Sequence, residues 1–374
     1  METDRWQRLW DLFHGALERP EGEARASWLA EACGADAALR AELESLLAAH
    51  EGSGDSIALD PSAIIASALP EPAQGDSIGP YRIARRIGEG GMGLVFEALQ
   101  EEPVRRRVAL KLVKPGMDSR EVLRRFSAER QALARMDHSS IARVFDAGAT
   151  LEGRPYFAME LVDGAPITEH CDAARLPIGR RLELAVAVCR AVHHAHQKGV
   201  IHRDLKASNV LVATAEGRPV PKVIDFGIAR AIDAAFGEGT LLTHRGQLVG
   251  TPETMSPEQA AMSADLDTRT DIYSLGALLY ELLAGSPPFA AGGVPFLELL
   301  RRIREEEPPA PSARVARLEA ADAVAVATAR GSEPARLRRE LAGELDWIVA
   351  KAMAKTLISG LLKTFRSGRA LMPS

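Results

Sequence analysis

The segment VIHRDLKASNVLV constrains the fold of this chain more than any other stretch. Between two apolar ends it carries a dense set of polar side chains that includes His202, Arg203, Asp204, Lys206 and Asn209. A buried strand does not account for such a density of polar groups. Asp204 can accept the proton of an attacking hydroxyl, Lys206 can neutralise charge on a phosphoryl group and Asn209 can hold a metal ion. The segment therefore predicts a catalytic loop.

A second acidic side chain follows a short apolar run further along the chain. In KVIDFGIAR, Asp225 comes directly after Val223 and Ile224. A carboxylate at the end of a strand supplies the hard oxygen ligand that Mg²⁺ prefers. Asp225 is therefore predicted to be the second metal ligand, in a site that works by electrostatic stabilisation of phosphoryl oxygens.

Three glycines, Gly88, Gly90 and Gly93, occur in IGEGGMGLVF with the spacing G-x-G-x-x-G. Because glycine has no Cβ atom, backbone N–H groups can approach phosphate oxygens closely. In a dinucleotide-binding fold a helix follows this loop, whereas residues 94–96 continue as a strand. The run favours a flap over a nucleotide, with a purely structural hairpin as the alternative.

Lys111 is the polar exception in the apolar strand VALK, and Glu129 lies on the helical stretch RRFSAERQALARM. A lysine in this position can pair with nucleotide phosphates and with a helix carboxylate, which fixes both side chains. Taken singly, Lys111 reads as a surface lysine at a strand end and Glu129 as a solvated helix acid. With the catalytic loop following in this order, the two predict a phosphoryl-transfer site.

Composition and charge argue against several other classes of protein. The 374 residues contain 46 Lys and Arg against 51 Asp and Glu, so a net charge of -5 supplies no electrostatic footprint for nucleic acid. Three widely spaced cysteines indicate neither a disulfide framework nor a CxxC metal site. The N-terminus lacks a secretory signal, and the most apolar stretch, 272–284, falls short of a bilayer span. We expect a cytoplasmic chain with no membrane segment.

The pattern of elements changes along the chain. Helical periodicity at the N-terminus predicts a small helical region that either packs on itself or docks a partner, followed by a linker rich in Gly, Ser, Asp, Pro and Ala. The main domain, 80–374, has short strands first and mainly helices afterwards, which predicts an α+β fold with two lobes. The predicted divisions are 1–50 (helical region), 51–79 (linker), about 80–163 (β-rich N-lobe), about 164–355 (α-rich C-lobe) and 356–374 (atypical or truncated end).

On these motifs, about 275 residues from 80 to 355 resemble the eukaryotic-like serine/threonine protein kinases of bacteria, which have a bilobal fold. The resemblance implies ATP and Mg²⁺ as cofactors and a protein Ser or Thr hydroxyl as the phosphoryl acceptor. It implies catalytic roles for Asp204, Lys206, Lys111 and Glu129, and metal binding by Asn209 and Asp225. The implied nucleotide-binding residues are Ile87, Gly88, Glu89, Gly90, Gly91, Met92, Gly93, Val95, Ala109, Lys111, the gatekeeper Met159, and the hinge residues Glu160 and Val162.

Two further segments bear on the substrate and on the support of the site. GTPETMSPEQA is similar to the family's substrate-binding loop, which favours a protein substrate over an antibiotic or a sugar. Asp271 corresponds to the aspartate that braces the catalytic loop from below, with a helix N-cap as its other possible role. A nucleotide-binding pseudokinase or scaffold is the alternative function.

The C-terminal end departs from the family pattern. TLISGLLKTFRSGRALMPS lacks the basic segment whose arginine pairs, buried, with the glutamate that corresponds to Glu258. Removing one partner of a buried ion pair costs roughly 3–5 kcal/mol. The sequence therefore predicts an equipped active site on a weakened C-lobe.

Phosphorylation of the activation loop is the first testable prediction. The resemblance implies that a phosphate on this loop pairs with Arg203 and orders the loop. Thr240 and Thr243 lie in the loop, between Asp225 and Thr251. We predict that the double variant T240A/T243A transfers less phosphate than the wild type in a radiolabelled ATP assay; unchanged activity rejects the hypothesis.

Overall fold

The computed structural model describes residues 71–90, 93–113, 136–150, 153–226, 252–261, 263, 266–290 and 294–355, together with isolated positions between residues 12 and 40. Most of these isolated positions are helical. Ala16, Leu29 and Cys33 are buried, and the guanidinium of Arg19 lies 4.1 Å above the Trp28 ring. The region before the linker therefore buries apolar side chains at these positions.

The N-lobe is built on a six-stranded antiparallel sheet with the strand order β1-β2-β3-β4-β6-β5. The short strands predicted for the N-lobe lie in this sheet. The strands are β1 (Ser77–Ile78), β2 (Tyr81–Gly90), β3 (Gly93–Gln100), β4 (Arg106–Val113), β5 (Val144–Ala149) and β6 (Pro155–Glu160).

Strands β3, β4 and β6 are largely buried on both faces, whereas β2 leaves most of its residues partly or fully exposed. On one face, side chains that include Leu94, Phe96 and Leu110 form the core of the N-lobe. The alternate residues of the same strands point the other way. Of these, Ala109 and Met159 join the core that continues into the C-lobe.

Residues 71–79, which the sequence assigned to the linker, contact the sheet. The N–H of Gly75 donates to the carbonyl of Ile83 at 2.9 Å, and the N–H of Ile83 donates to the carbonyl of Asp76 at 2.8 Å. Glu71 forms an ion pair with Arg86 at 3.0 Å. The folded unit therefore begins before residue 80.

The described part of the C-lobe is mainly helical, as predicted. Its central helix α4 (Thr268–Ala284) begins at the N-cap Asp267, whose side chain accepts the N–H of Arg269, and ends at Gly285 with φ 84. A glycine suits this left-handed position because it has no Cβ atom. The other helices are α1 (Ile167–Ala173), α2 (Ile178–Gln197), α3 (Pro257–Ala260), α5 (Phe296–Glu305), α6 (Pro311–Ala316), α7 (Ala320–Ala329), α8 (Pro334–Leu341) and α9 (Glu344–Ala352).

The C-lobe also contains a small antiparallel sheet, of which the sequence predicted only the strand that ends before Asp225. It consists of β7 (Gly164–Pro166), β8 (Val210–Ala215) and β9 (Arg218–Val223), in that order. Pro219 and Pro221 in β9 weaken the strand signal, although proline is tolerated on an edge strand such as this one. The sheet carries both catalytic motifs, since β8 begins directly after Asn209 and β9 ends two residues before Asp225.

Arg181 is a fully buried cation that joins several C-lobe helices. It forms an ion pair with Asp172 at 2.7 Å. Its guanidinium also donates to four backbone carbonyls at 2.6–3.2 Å, those of Cys171, Leu176, Leu282 and Ala329. Arg330 lies beside it, and burial together with the charge of Arg181 lowers the pKa of Arg330 to about 10.

Glu258 has a partner in the structure. Its half-buried carboxylate accepts a hydrogen bond from the hydroxyl of Thr270 at 2.9 Å. This contact was not foreseen, and any arginine of 356–374 that could pair with Glu258 lies outside the described residues. The weakened C-lobe stays a prediction, because a hydrogen bond from a neutral hydroxyl is weaker than one from a bidentate arginine.

Among the described residues, no helix has both the length and the apolar character needed to cross a membrane.

We predict that Arg181→Met lowers the free energy of unfolding by about 3–5 kcal/mol, because the buried carbonyls around it lose their donors. The adjacent Arg180 is the matched control, since it is 66% exposed and pairs with Glu183 at the surface. Arg180→Met should change the free energy by at most about 1 kcal/mol. Urea denaturation measures both values, and equal effects would contradict this role for Arg181.

Candidate active site

The register of the N-lobe sheet places several predicted nucleotide-binding residues on one face. Val95 lies directly opposite Lys111, which lies opposite Phe157, and Ala109 lies opposite Met159. Side chains directly opposite one another, or two residues apart on one strand, share a face. This is the face that turns toward the C-lobe, so these side chains converge above the catalytic loop.

The glycines of the β2–β3 hairpin differ in what surrounds them. A Cβ atom at Gly93 would lie 2.2 Å from the carbonyl oxygen of Leu112, so packing alone demands glycine there. At Gly90 a Cβ atom would meet nothing within 4 Å, and at Gly88 only Val95 at 3.9 Å. Packing therefore does not explain Gly88 and Gly90, and the room around them suits a ligand that approaches the backbone.

Met159, Glu160 and Val162 lie where β6 ends and the chain passes to the C-lobe. The backbone N–H of Glu160 donates to the carbonyl of Arg143 at 2.8 Å and is therefore not available to a nucleotide. Its carboxylate pairs with Lys222 of β9 at 2.7 Å. This ion pair ties the end of the N-lobe sheet to the strand that leads to Asp225.

Asp271, a fully buried residue in the first turn of α4, holds the catalytic loop. Its Oδ2 accepts the backbone N–H of His202 and its Oδ1 that of Arg203, both at 2.8 Å. A third contact joins Oδ2 to the Nε2 of His196 at 2.7 Å. The prediction that Asp271 braces this loop is confirmed. Its other possible role as an N-cap was wrong, because Asp267 caps α4.

The ring of His202 links the catalytic loop to the segment before Asp225. Its Nδ1 accepts the backbone N–H of Asp204 at 3.3 Å, and its Nε2 lies 2.9 Å from the carbonyl of Ile224. A neutral histidine with its proton on Nε2 satisfies both contacts. The ring also lies against Phe226, with 4.7 Å between centroids. The buried side chain of His202 therefore fixes the segment that carries Asp204 relative to the segment that carries Asp225.

Asp204 contacts the two other predicted reactive residues of the catalytic loop, Lys206 and Asn209. The carboxylate of Asp204 lies 3.0 Å from the Nζ of Lys206. The amide nitrogen of Asn209 donates to the backbone carbonyl of Asp204 at 2.7 Å and lies 3.2 Å from its carboxylate. The backbone carbonyl of Asn209 also accepts the backbone N–H of Ile224 at 2.9 Å. The loop thus forms one cluster beside the residue that precedes Asp225.

Asp225 is tied to both lobes. Its carboxylate lies 2.7 Å from the Nζ of Lys111, which is only 6% exposed. Val223, two residues earlier, exchanges backbone hydrogen bonds at 2.9 Å with Ser140 and Ala142 of the N-lobe. The φ of Asp225 is 64°, a left-handed conformation that a non-glycine residue adopts only when its surroundings enforce it.

The donor set fits a hard divalent cation. The amide nitrogen of Asn209 is engaged with Asp204, which directs its amide oxygen elsewhere. Asp225 contributes a carboxylate, and carboxylate and amide oxygens are the ligands that Mg²⁺ prefers. Asn209 and Asp225 would therefore hold such an ion between the two motifs.

The family follows from comparison of the sequence. A family model described as "Protein kinase domain" matches residues 81–370. The chain belongs to the protein kinase domain family. The predicted family and the bilobal fold, with a β-rich N-lobe and an α-rich C-lobe, are confirmed.

Several bacterial kinases are similar to this protein kinase domain. PknA of Mycobacterium tuberculosis is 39% identical over 239 residues, covering 62% of this chain and 53% of PknA. PknJ of the same organism is 36% identical over 285 residues, covering 76% of this chain and 47% of PknJ. Pkn1 of Myxococcus xanthus is 37% identical over 241 residues, covering 64% of this chain and 34% of Pkn1. All three are named serine/threonine-protein kinases, and the chain spans only 34–53% of their length.

Solved structures point the same way. The crystal structure of the M. tuberculosis PknI kinase domain has 30% sequence identity and a TM-score of 0.50, and the match covers 76% of this chain and 98% of that chain. The bilobal arrangement is therefore shared with an experimentally determined kinase domain.

Some predicted positions lie outside the described residues, namely Glu129, Gly91, Met92, Thr240, Thr243 and Thr251. The pairing of Lys111 with Glu129 thus stays a prediction, whereas the contact of Lys111 with Asp225 was not foreseen.

Sequence reasoning also missed His196. It lies six residues before His202 in the last turn of α2, and only the way α2 crosses α4 brings it to Asp271.

The anchoring of the catalytic loop by Asp271 can be tested by Asp271→Asn. We predict a loss of about 3 kcal/mol in the free energy of unfolding, because the new amide NH₂ must face one of two backbone N–H donors in a buried site. Hydrogen exchange at the amides of His202 and Arg203 should accelerate.

The control variant is Asp267→Asn, at the N-cap of the same helix. Asparagine caps a helix about as well as aspartate, and the ion pair with Arg269 that is lost is partly exposed. This change should therefore cost about 1 kcal/mol or less. Equal losses in the two variants would refute the special role of Asp271.

Proposed function

We propose that this chain is an ATP-dependent serine/threonine protein kinase that transfers the γ-phosphoryl group of ATP to a protein hydroxyl and can phosphorylate itself. The observation that carries the proposal is the chain of contacts that joins Lys111 to Asp225 and Asp204 to Lys206 and Asn209. Such a combination of a buried lysine, two acids and an amide suits phosphoryl transfer, which depends mainly on positioning and electrostatics.

Nucleotide binding is assigned to the face of the N-lobe sheet described above. The hairpin with Gly88 and Gly90 would cover the phosphates with its backbone N–H groups, and Val95 and Ala109 would contact the base from above. Met159 would close the back of the pocket, and the backbone of Glu160 and Val162 would meet the adenine edge. Because the N–H of Glu160 is engaged with Arg143, Glu160 would offer the adenine its carbonyl.

Lys111 would bind the α- and β-phosphates once nucleotide is present. In the structure its ammonium group lies on Asp225. With nucleotide bound, the pairing with Glu129 expected from the sequence would keep the lysine in place and leave the Asp225 carboxylate to the metal. Mg²⁺ bound by Asn209 and Asp225 would neutralise charge on the phosphate oxygens.

The transfer step is assigned to Asp204 and Lys206. Asp204 orients the serine or threonine hydroxyl and takes its proton as the oxygen attacks the γ-phosphorus. The bond from that phosphorus to the bridging oxygen breaks, and ADP leaves. Lys206, 3.0 Å from the Asp204 carboxylate, is close enough to stabilise the charge on the transferring group.

A protein acceptor is supported by the segment from Pro252 to Ala260. Ser274 of α4 donates to the carbonyl of Thr254 at 3.0 Å, and Thr270 of α4 binds Glu258. The helix that holds the catalytic loop therefore also holds the segment assigned to the protein substrate. Docking of a partner through residues 1–50 and a cytoplasmic location stay predictions.

Radiolabelled transfer from [γ-³²P]ATP to histones in the presence of Mg²⁺ tests the proposal. We predict transfer by the wild type, a loss of about 10²–10⁴-fold in kcat for Asp204→Asn and of about 10²–10³-fold for Lys111→Met. Asp137→Asn and Lys351→Met are matched controls, because both residues are exposed and distant in the sequence from the motifs. Both should retain activity.

The same preparation distinguishes the pseudokinase or scaffold alternative. A binder without turnover would show a nucleotide-dependent rise in melting temperature and no transfer. That result would contradict the kinase proposal and favour the alternative, as would transfer that survives Asp204→Asn.

A further inference from the structure

Gln259 connects the substrate segment to the catalytic loop. It lies on α3, and its side-chain nitrogen donates to the backbone carbonyl of Arg203 at 2.6 Å. The other end of the same amide is also engaged, because its Oε1 accepts the backbone N–H of Ser256 at 3.0 Å. Ser256 in turn accepts the N–H of Gln259 on its hydroxyl at 3.3 Å, which completes a capping box.

The carbonyl that Gln259 holds belongs to the peptide group between Arg203 and Asp204. The N–H of this peptide donates to His202 at 3.3 Å, so both ends of the group that leads into Asp204 have partners. Arg203 has φ 67, a strained conformation for a residue with a side chain. Asp271 holds the preceding N–H, and Gln259 holds the following carbonyl.

These contacts form a closed triangle of three elements. Helix α4 holds the catalytic loop through Asp271 and holds the substrate segment through Thr270 and Ser274. The Gln259 contact is the third side, and it joins the segment directly to the loop. A displacement of the segment would therefore move the peptide group between Arg203 and Asp204 and so change the orientation of Asp204.

The two contacts of Gln259 require an amide. Ser256 presents an N–H donor and Arg203 presents a carbonyl acceptor, so the side chain must accept at one atom and donate at the other. Glutamate has nearly the same shape and still accepts from Ser256, but it turns an oxygen toward the Arg203 carbonyl. Methionine is of similar length and makes neither hydrogen bond.

We propose that Gln259 is a positioning residue that couples the substrate segment to the catalytic loop by fixing the peptide group that precedes Asp204. The proposal rests on the kinase function proposed above. This role differs from simple capping of α3. A capping role needs only the oxygen that accepts the N–H of Ser256, and a glutamate at this position keeps that oxygen.

Gln259→Glu and Gln259→Met, made in the full chain, test this with [γ-³²P]ATP and histones at a temperature below both melting points. We expect kcat to fall about 10–100-fold in both variants, since a shift of about 1 Å at a reacting group is enough for that loss. The KM for ATP and the rise in melting temperature with MgATP should stay within twofold of the wild type. Gln259→Glu should melt closer to the wild type than Gln259→Met, because its cap is intact.

A purely capping role predicts a different pattern, in which Gln259→Glu keeps kcat within twofold of the wild type while Gln259→Met is impaired. That pattern overturns the proposal. Amide hydrogen exchange at Asp204 is a second readout on either variant alone; faster exchange supports the proposal and unchanged exchange overturns it. An inactive wild type, by contrast, would refute the kinase function itself, whatever the variants do.

Discussion

A single buried carboxylate organises this molecule. Asp271 is completely withdrawn from solvent, and its oxygens hold two consecutive backbone N–H groups of the catalytic loop and the ring of His196. A buried charge is tolerated only when such partners satisfy it. Because Asp271 lies on the central helix α4, this helix sets the conformation of the loop that carries Asp204.

The second constraint is the joint between the lobes. Strand β9 pairs with β8 in the C-lobe, and its last residue, Val223, also bonds to the N-lobe backbone at Ser140 and Ala142. Asp225 follows two residues later and contacts the buried Lys111. Residues that are remote in sequence, at 111, 204 and 225, thus act on one cleft because one short strand is shared by both lobes.

The order of the motifs was enough to predict the family, the two lobes, the N-lobe strands and the bracing by Asp271. The pattern of apolar residues predicted the strands, and polar side chains within apolar runs predicted the site residues. Of the small sheet only the strand end before Asp225 was predicted, because Pro219 and Pro221 weaken the strand signal in the rest of β9. The contacts of His196 with Asp271 and of Gln259 with Arg203 could not be predicted, since they depend on how separate elements meet in the fold. The hydrogen bond from Thr270 to Glu258 was not foreseen for the same reason, because Thr270 belongs to another helix.

A crystal structure of the chain with Mg²⁺ and a non-hydrolysable ATP analogue would show directly whether these side chains form one nucleotide site. We predict the metal bound to oxygens of Asn209 and Asp225, the phosphates beneath the Gly88–Gly90 hairpin, and Asp204 facing the terminal phosphate with its backbone still held by Asp271. A nucleotide bound elsewhere, or a metal that contacts neither Asn209 nor Asp225, would contradict this arrangement.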